Sequence, residues 1–306
     1  MTITIDQAFV TEYRDMLIHE AQQGDTRLRA YVNEVSSNAE TYTRDILEKV
    51  DTDGMTDLET GYTASLGMFK KSGRRRATQY FDDTWHRRSS TPDTFNHTMT
   101  VEQEDKVKML IDPVNSYREA QMKLVRRFWD RLIIEAATGD VTEDGSTVSF
   151  PSGQIVGDGT AKISFSYVQQ VQEKFMEDEI MMDMPKVAVV SPVQVRQLMA
   201  LTTATSSDYV SAKALQDLNQ YGVVPNWMGF TWIVSNYLEA PATGEIYCLF
   251  MTGKAIDLIV NSNVEAIIDR NPDRSYMWQA FIEVTAHALR VEDEQIVVGH
   301  FLDSDS

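Results

Sequence analysis

The side chains best able to do chemistry are scattered along this sequence rather than grouped. The five histidines are His19, His86, His97, His287 and His300, and no two of them fall in an H-E-x-x-H or comparable ligand spacing. Ordinary surface or half-buried roles account for them. The run Asp51-Thr-Asp53-Gly-Met-Thr-Asp57-Leu-Glu59 has the acidic alternation of a calcium loop, but Met55 stands where an oxygen ligand belongs and no glycine follows it. It reads as a solvated acidic loop. Gly153 to Lys162, G-Q-I-V-G-D-G-T-A-K, lacks the Lys-Ser/Thr pair directly after glycine that a phosphate cradle needs. There is no G-x-S-x-G elbow around a serine. The single cysteine, Cys248, sits in the apolar run Tyr247-Cys-Leu-Phe250 and reads as an inert buried thiol, with no partner for a disulfide and no multi-cysteine metal site. The sequence therefore assigns no catalytic residue, no cofactor-binding residue and no metal ligand, and an enzyme is the most remote class.

One group of charges does stand out. Between Phe69 and Arg88 lie Lys70, Lys71, Arg74, Arg75, Arg76, Arg87 and Arg88 against only Asp82 and Asp83, a local net of +5 in a chain whose formal charge is −18. The remainder carries −23. An acidic body argues against duplex binding as the main task, since that needs a clustered excess of Lys and Arg over a whole face. Three readings of the basic segment remain: a solvated loop, a nucleic-acid contact, and a contact with another copy of the same acidic chain. Like charges at this density repel unless neutralised, and this favours the last of the three.

The chain's 306 residues can bury roughly 75% of their unfolded surface. With 42% hydrophobic and 24% charged residues, the composition is that of a globular protein and not of a disordered one. No run approaches the ~20 apolar residues of a membrane span, and Met1-Thr-Ile-Thr-Ile-Asp6 has no basic region before an apolar stretch. Neither membrane insertion nor secretion by a signal peptide is expected.

The elements follow from periodicity. Asp6 to Gln23 predicts a helix, with Phe9, Tyr13, Leu17 and Ala21 at helical spacing. Leu28–Val35 and Ala39–Val50, separated by Ser36-Ser37-Asn38, predict a long hairpin. From Gly24 to His86 little could form an independent core, so this stretch is expected to project and rest on something else. Met109-Leu-Ile-Asp-Pro113 ends a strand and starts the clearest element. From Val114 to Ala137, residues Tyr117, Leu124, Val125, Phe128, Trp129, Leu132, Ile133 and Ala136 form one apolar stripe, with Asp130 among the charged residues assigned to the opposite face. Tyr117, Leu124, Phe128, Trp129 and Leu132 are the expected core of this long spine helix, which Gly139 closes. Gly139 to Ala161 reads as a loop, and a second helix starts at Ser164. Val187–Val190 reads as a buried strand that leads through Ser191-Pro192 into a short helix. Strands are expected at Phe230–Val234, Ile246–Met251, Val264–Ile268, Trp278–Leu289 and Gln295–Phe301. Met176, Met181, Met182 and Met184 read as adaptable packing. Strands with segregated helices define an α+β fold.

Several short motifs, in order, resemble the major capsid protein of tailed bacteriophages. They are Met109-Leu-Ile-Asp-Pro113 with Ser116-Tyr117, Ile133-Ile-Glu-Ala-Ala-Thr-Gly139, and Val189-Val-Ser-Pro192. Ser206-Ser-Asp-Tyr209 with Lys213-Ala-Leu215 follows, then Met228-Gly-Phe230 through Ser235-Asn236. Asp269-Arg-Asn-Pro-Asp-Arg-Ser-Tyr276 and Leu289-Arg-Val-Glu-Asp293 complete the series. The resemblance implies an N-terminal arm at 1–27, an extended β-hairpin loop at 28–86, a peripheral domain at 87–190 with 265–306, and an axial domain at 191–264. It also implies hexamers and pentamers of self in an icosahedral virion shell, made in the host cytoplasm. The shell would enclose packaged DNA without sequence-specific binding. Scaffolding, portal and decoration proteins are the further partners it suggests, and it implies no cofactor and no membrane. The stretch 50–86 is longer and more basic than the resemblance leads one to expect, and no lysine–asparagine crosslinking motif is carried over. The alternative is a nucleic-acid-binding protein that uses the basic 69–88 segment.

Overall fold

Proline opens helix α1, Pro113–Thr138, at a position where its missing N–H costs no hydrogen bond. The 26 residues make a rod of about 39 Å, closed where the Gly139 N–H donates to the Glu135 carbonyl at 2.8 Å. Val125, Trp129, Leu132, Ile133, Ile134 and Ala137 are buried along it, while Tyr117, Leu124 and Phe128 are half-buried. Asp130 departs from the sequence reading. It is 2% exposed and accepts from the backbone N–H groups of Arg27 and Leu28, with Gln23 Nε2 as a further donor. The carboxylate thus fixes where the N-terminal part of the chain meets the helix.

The computed structural model describes residues 23–49, 55, 63–64, 68, 84–102, 113–180, 184–201, 217, 220, 222–261, 265–272 and 276–304. The helix expected at 6–23 lies outside them except for Gln23, as do the strand expected before Pro113 and Met181 and Met182.

The described strands are β1 (Asn33–Ser36), β2 (Tyr42–Leu47), β3 (Trp85–Ser90), β4 (Asp93–Val101), β5 (Val141–Glu143), β6 (Ser146–Val148), β7 (Ile155–Val156), β8 (Lys186–Val190), β9 (Val223–Trp227), β10 (Phe230–Val234), β11 (Glu245–Thr252), β12 (Ile256–Val260), β13 (Glu265–Asn271), β14 (Met277–Arg290) and β15 (Ile296–Leu302). Two further helices are α2 (Phe165–Glu177) and α3 (Pro192–Ala200). Ser191 caps α3 by accepting from the Val193 N–H, and its hydroxyl donates to the Gln194 side-chain oxygen.

Six strands form a sheet in the order β7-β15-β11-β8-β10-β9. Both faces are covered, which explains the uninterrupted apolar run of β8. Ala188, Val190, Phe230, Trp232, Cys248, Phe250 and Phe301 pack toward Val168, Val171 and Phe175 of α2 and Val195 and Leu198 of α3. On the opposite face Val187, Val189, Ile233, Leu249, Met251 and Val298 join a second core with α1 and the next sheet. In that sheet β14 pairs with β12 and β13 along one side and with β4 along the other, and β1 adds in parallel beside β12. Strands from the stretches 87–190, 191–264 and 265–306 therefore interleave in shared sheets.

The hairpin expected between 28 and 50 forms with different partners. β1 pairs with β12 rather than with β2, and β2 pairs antiparallel with β3 in the register Tyr42↔Ser90 to Leu47↔Trp85. The stretch 139–161, read as a loop, contains the β5–β6 hairpin. Asp144 (φ 48°) and Gly145 (φ 80°) at its turn both take the left-handed conformation that an Asp-Gly two-residue turn needs.

Candidate intersubunit interface

The ribbon β2–β3 is where the fold leaves its own core. β5 lines β3 only at Arg88 and Ser89, so among the described residues the ribbon has two strands from Arg87 outward. Cross-strand neighbours Leu47 and Trp85 at its outer end are 44% and 62% exposed. An isolated pair of strands is marginal in water, and exposed apolar side chains at its tip add surface that burial would remove from solvent.

Alternation along β3 sends the two described arginines of the basic segment to opposite faces. Arg87 lies on the outer face, where its Nε and Nη2 reach the Asp45 carboxylate at 2.6 and 3.1 Å. Arg88 points inward and is 6% exposed, so it offers no charge to a neighbour. Of the seven basic residues in the segment, this one is buried by the pleat. Arg88 Nε donates to Glu143 at 2.7 Å, and Nη1 and Nη2 each meet a carboxylate oxygen of Asp293 at 3.0 Å. Lys70, Lys71, Arg74, Arg75 and Arg76 lie outside the described residues.

Sequence reasoning missed the network behind Arg88. Arg290, fully buried at the end of β14, donates from Nε to Asp293 at 2.6 Å and from Nη1 to the Gly139 carbonyl at 2.5 Å. One carboxylate thus holds two guanidinium groups, and these connect the ribbon, the end of the spine helix and β14. Burial pushes the Asp293 carboxyl up. The hydrogen bond from Arg88 and the charges of Arg290 and Arg88 outweigh it and hold the group below its ordinary value. The available signal was Leu289-Arg-Val-Glu-Asp293, which contains both Arg290 and Asp293 but shows nothing of Arg88, 205 residues away from Asp293.

The spine-helix residues do a different job. Trp129 and Leu132 are buried in the core shared with β12 and β14, and the Arg29 guanidinium stacks 4.9 Å from the Trp129 ring. Phe128 packs against Phe95 of β4, with ring centroids 4.7 Å apart. Tyr117 and Leu124, nearer the helix start, keep partial exposure. The sequence singled out no metal ligand, yet the fold brings His86, Glu143 and Asp144 within reach of one another.

Distant parts of the chain thus share its sheets, and among the described residues the β2–β3 ribbon carries both charged side chains and the exposed apolar pair Leu47 and Trp85. The chain belongs to the phage capsid protein family, which matches residues 5–303. Its role is that of a structural major capsid protein and not of an enzyme. Solved structures share the fold at low identity. The capsid asymmetric unit of cyanophage Pam1 is 11% identical with a TM-score of 0.71, covering 100% of this chain and 99% of that one. That of the mature capsid of bacteriophage PhiM1 is 11% identical with a TM-score of 0.66, covering 96% and 92%. A Mycobacterium phage Che8 structure is 14% identical with a TM-score of 0.64, covering 95% and 96%. Comparison with curated proteins gave no match.

Proposed function

We propose that this chain assembles with copies of itself into hexamers and pentamers that close into an icosahedral shell around a phage genome. The observation that carries this reading is the β2–β3 ribbon, among the described residues two strands wide beyond Arg87, with Leu47 and Trp85 exposed on it. Laid across a neighbouring subunit, such a ribbon gains both apolar burial and cover for its edges. Head-to-tail contacts of this kind repeat around a ring.

In this reading residues 1–27 are the arm, 28–86 carry the extended loop, 87–190 with 265–306 are the peripheral part, and 191–264 the axial part. Their interleaved sheets make the last two one continuous body. Lys70, Lys71, Arg74, Arg75, Arg76 and Arg87 supply positive charge to an acidic neighbour, and Arg88 anchors the loop from within. The acidic body encloses DNA without holding it in a sequence-specific way. Scaffolding, portal and decoration proteins are the other partners of such a shell, which places the protein in the virion after synthesis in the host cytoplasm.

Electron microscopy and analytical ultracentrifugation of the full chain test this. Capsomers or closed shells, formed alone or with the phage's scaffolding protein, are the expected outcome. A chain that stays monomeric at high concentration, in low and moderate salt and with scaffold supplied, would overturn it.

A further inference from the structure

We propose that His86, Glu143 and Asp144 form a binding site for one divalent transition-metal ion of the zinc class, joining the β2–β3 ribbon to the turn of the β5–β6 hairpin. His86 Nδ1 lies 3.2 Å from Asp144 Oδ2 and 3.6 Å from Glu143 Oε1, and the three donor atoms all fall within 4.8 Å of one another. Tetrahedral zinc with bonds of about 2.0–2.1 Å separates its ligand atoms by about 3.3 Å. The two imidazole–carboxylate distances bracket that value, and the two carboxylates, within 4.8 Å of one another, would draw together around a shared ion.

Both carboxylates are also held from behind. Asp144 uses its other oxygen, Oδ1, to accept from the Arg87 backbone N–H at 3.0 Å. Glu143 uses Oε2 to accept from Arg88 Nε at 2.7 Å. The remaining ring nitrogen of His86, Nε2, faces Glu48 Oε2 at 3.9 Å. At that distance Glu48 makes no direct hydrogen bond to the ring and contributes negative potential beside it. The charge balance is suitable as well. Glu48, Glu143 and Asp144 surround the imidazole, while Arg87 is engaged by Asp45 and Arg88 is shared between Asp293 and the far oxygen of Glu143. One imidazole with two carboxylates suits Zn²⁺, Co²⁺ or Mn²⁺ better than a thiolate-seeking ion. The competing explanation for the same contacts is a simple ion pair between protonated His86 and its carboxylate neighbours, with no metal involved.

Chelator-treated full-length protein separates the two. Titration with Zn²⁺ by calorimetry is expected to saturate at one equivalent per chain, and Co²⁺ to give visible d–d absorption with the same stoichiometry. His86→Ala and Asp144→Asn should each abolish the saturable step. Glu48→Gln, which removes only a nearby negative charge, should weaken binding by less than about 10-fold. His19, His97, His287 and His300 remain in every variant as internal controls. Circular dichroism in chelator confirms that each variant is folded, and Asp144→Asn serves alone if His86→Ala is not. Absence of saturable binding in the wild type would overturn the proposal. Binding that His86→Ala or Asp144→Asn leaves unchanged would overturn it equally.

Discussion

Asp293 shows how one residue can hold distant parts of the chain together. Its carboxylate is shared by Arg88 from the ribbon and by Arg290, which also donates to the carbonyls that end α1. A cation at a helix C-terminus satisfies orphan carbonyls and complements the dipole. Because Asp293 is held below its ordinary value of 3.8 in the folded chain, the unfolded chain binds its proton first as the pH falls. The contribution is therefore complete at neutral pH and is lost as the pH drops below the unfolded value and through the lower folded one. Asp130 works in the opposite direction: burial raises its carboxyl despite the N–H donors from Leu28, Arg27 and Gln23, so the folded chain gains relative stability there on acidification. Measured unfolding free energy should fall less steeply below about pH 4 in Asp293→Asn than in wild type. The variant should also be less stable at pH 7 by about 3 kcal/mol, since two guanidinium groups lose their shared partner. Identical acid limbs would show that Asp293 does not carry this charge. Cys248 gives a second test at this scale. It is fully buried in β11, and burial pushes its thiol far up. Neutral thiol reagents should leave it unmodified in native protein and label it within the dead time in denaturant. Labelling of the native chain at the denatured rate would contradict the assigned core.

Elements defined by local periodicity are legible in the sequence, and those defined by distant pairing are not. The stripe on α1, the cap at Ser191-Pro192 and the apolar run of β8 depend only on near neighbours. β1 has too few residues to announce its partner, and that partner, β12, lies 224 residues on at the Asn33–Asp257 pair. Contiguity along the chain suggested pairing with β2 instead. The β5–β6 hairpin had a local signal, Asp144-Gly145, hidden within a segment whose Gly, Ser and Thr content reads as loop. Asp130 was missed because a charged residue on a helix normally faces water, and only the incoming backbone at Arg27 and Leu28 accounts for its burial. For the candidate interface, basic composition was visible but the inward turn of Arg88 depends on the strand register. Trp129 tests the element that was read best. It is 2% exposed among residues of α1 and β14 and covered by Arg29. Trp129→Ala should cost about 3–5 kcal/mol in chemical denaturation, through lost burial and the cavity left behind. A loss below about 1 kcal/mol would mean the site collapses or the stripe is not core.

At the scale of the whole molecule, charge separates folding from assembly. The chain carries −18 overall, with the +5 of the 69–88 segment set against −23 elsewhere. Arg88 spends its charge inside the subunit and Arg87 shares its own with Asp45, so in the proposed contact the outward attraction would rest chiefly on Lys70, Lys71, Arg74, Arg75 and Arg76. Replacing Arg74, Arg75 and Arg76 with Glu takes the segment from +5 to −1 and the chain from −18 to −24. Exposed charges contribute at most about 1 kcal/mol each to folding, so the subunit should keep its circular dichroism and melting temperature. In a shell the same contact recurs at every neighbour, and like charges brought together cost several kcal/mol per contact. Assembly should therefore be lost or strongly delayed, as read by light scattering and particle counts in micrographs. Wild-type assembly should slow as well in about 1 M salt, where screening acts over roughly 3 Å. Equal particle yields from wild type and the triple variant would remove this segment from the subunit contact. Loss of assembly together with loss of the native melting transition would instead place the three arginines in the fold of the subunit itself.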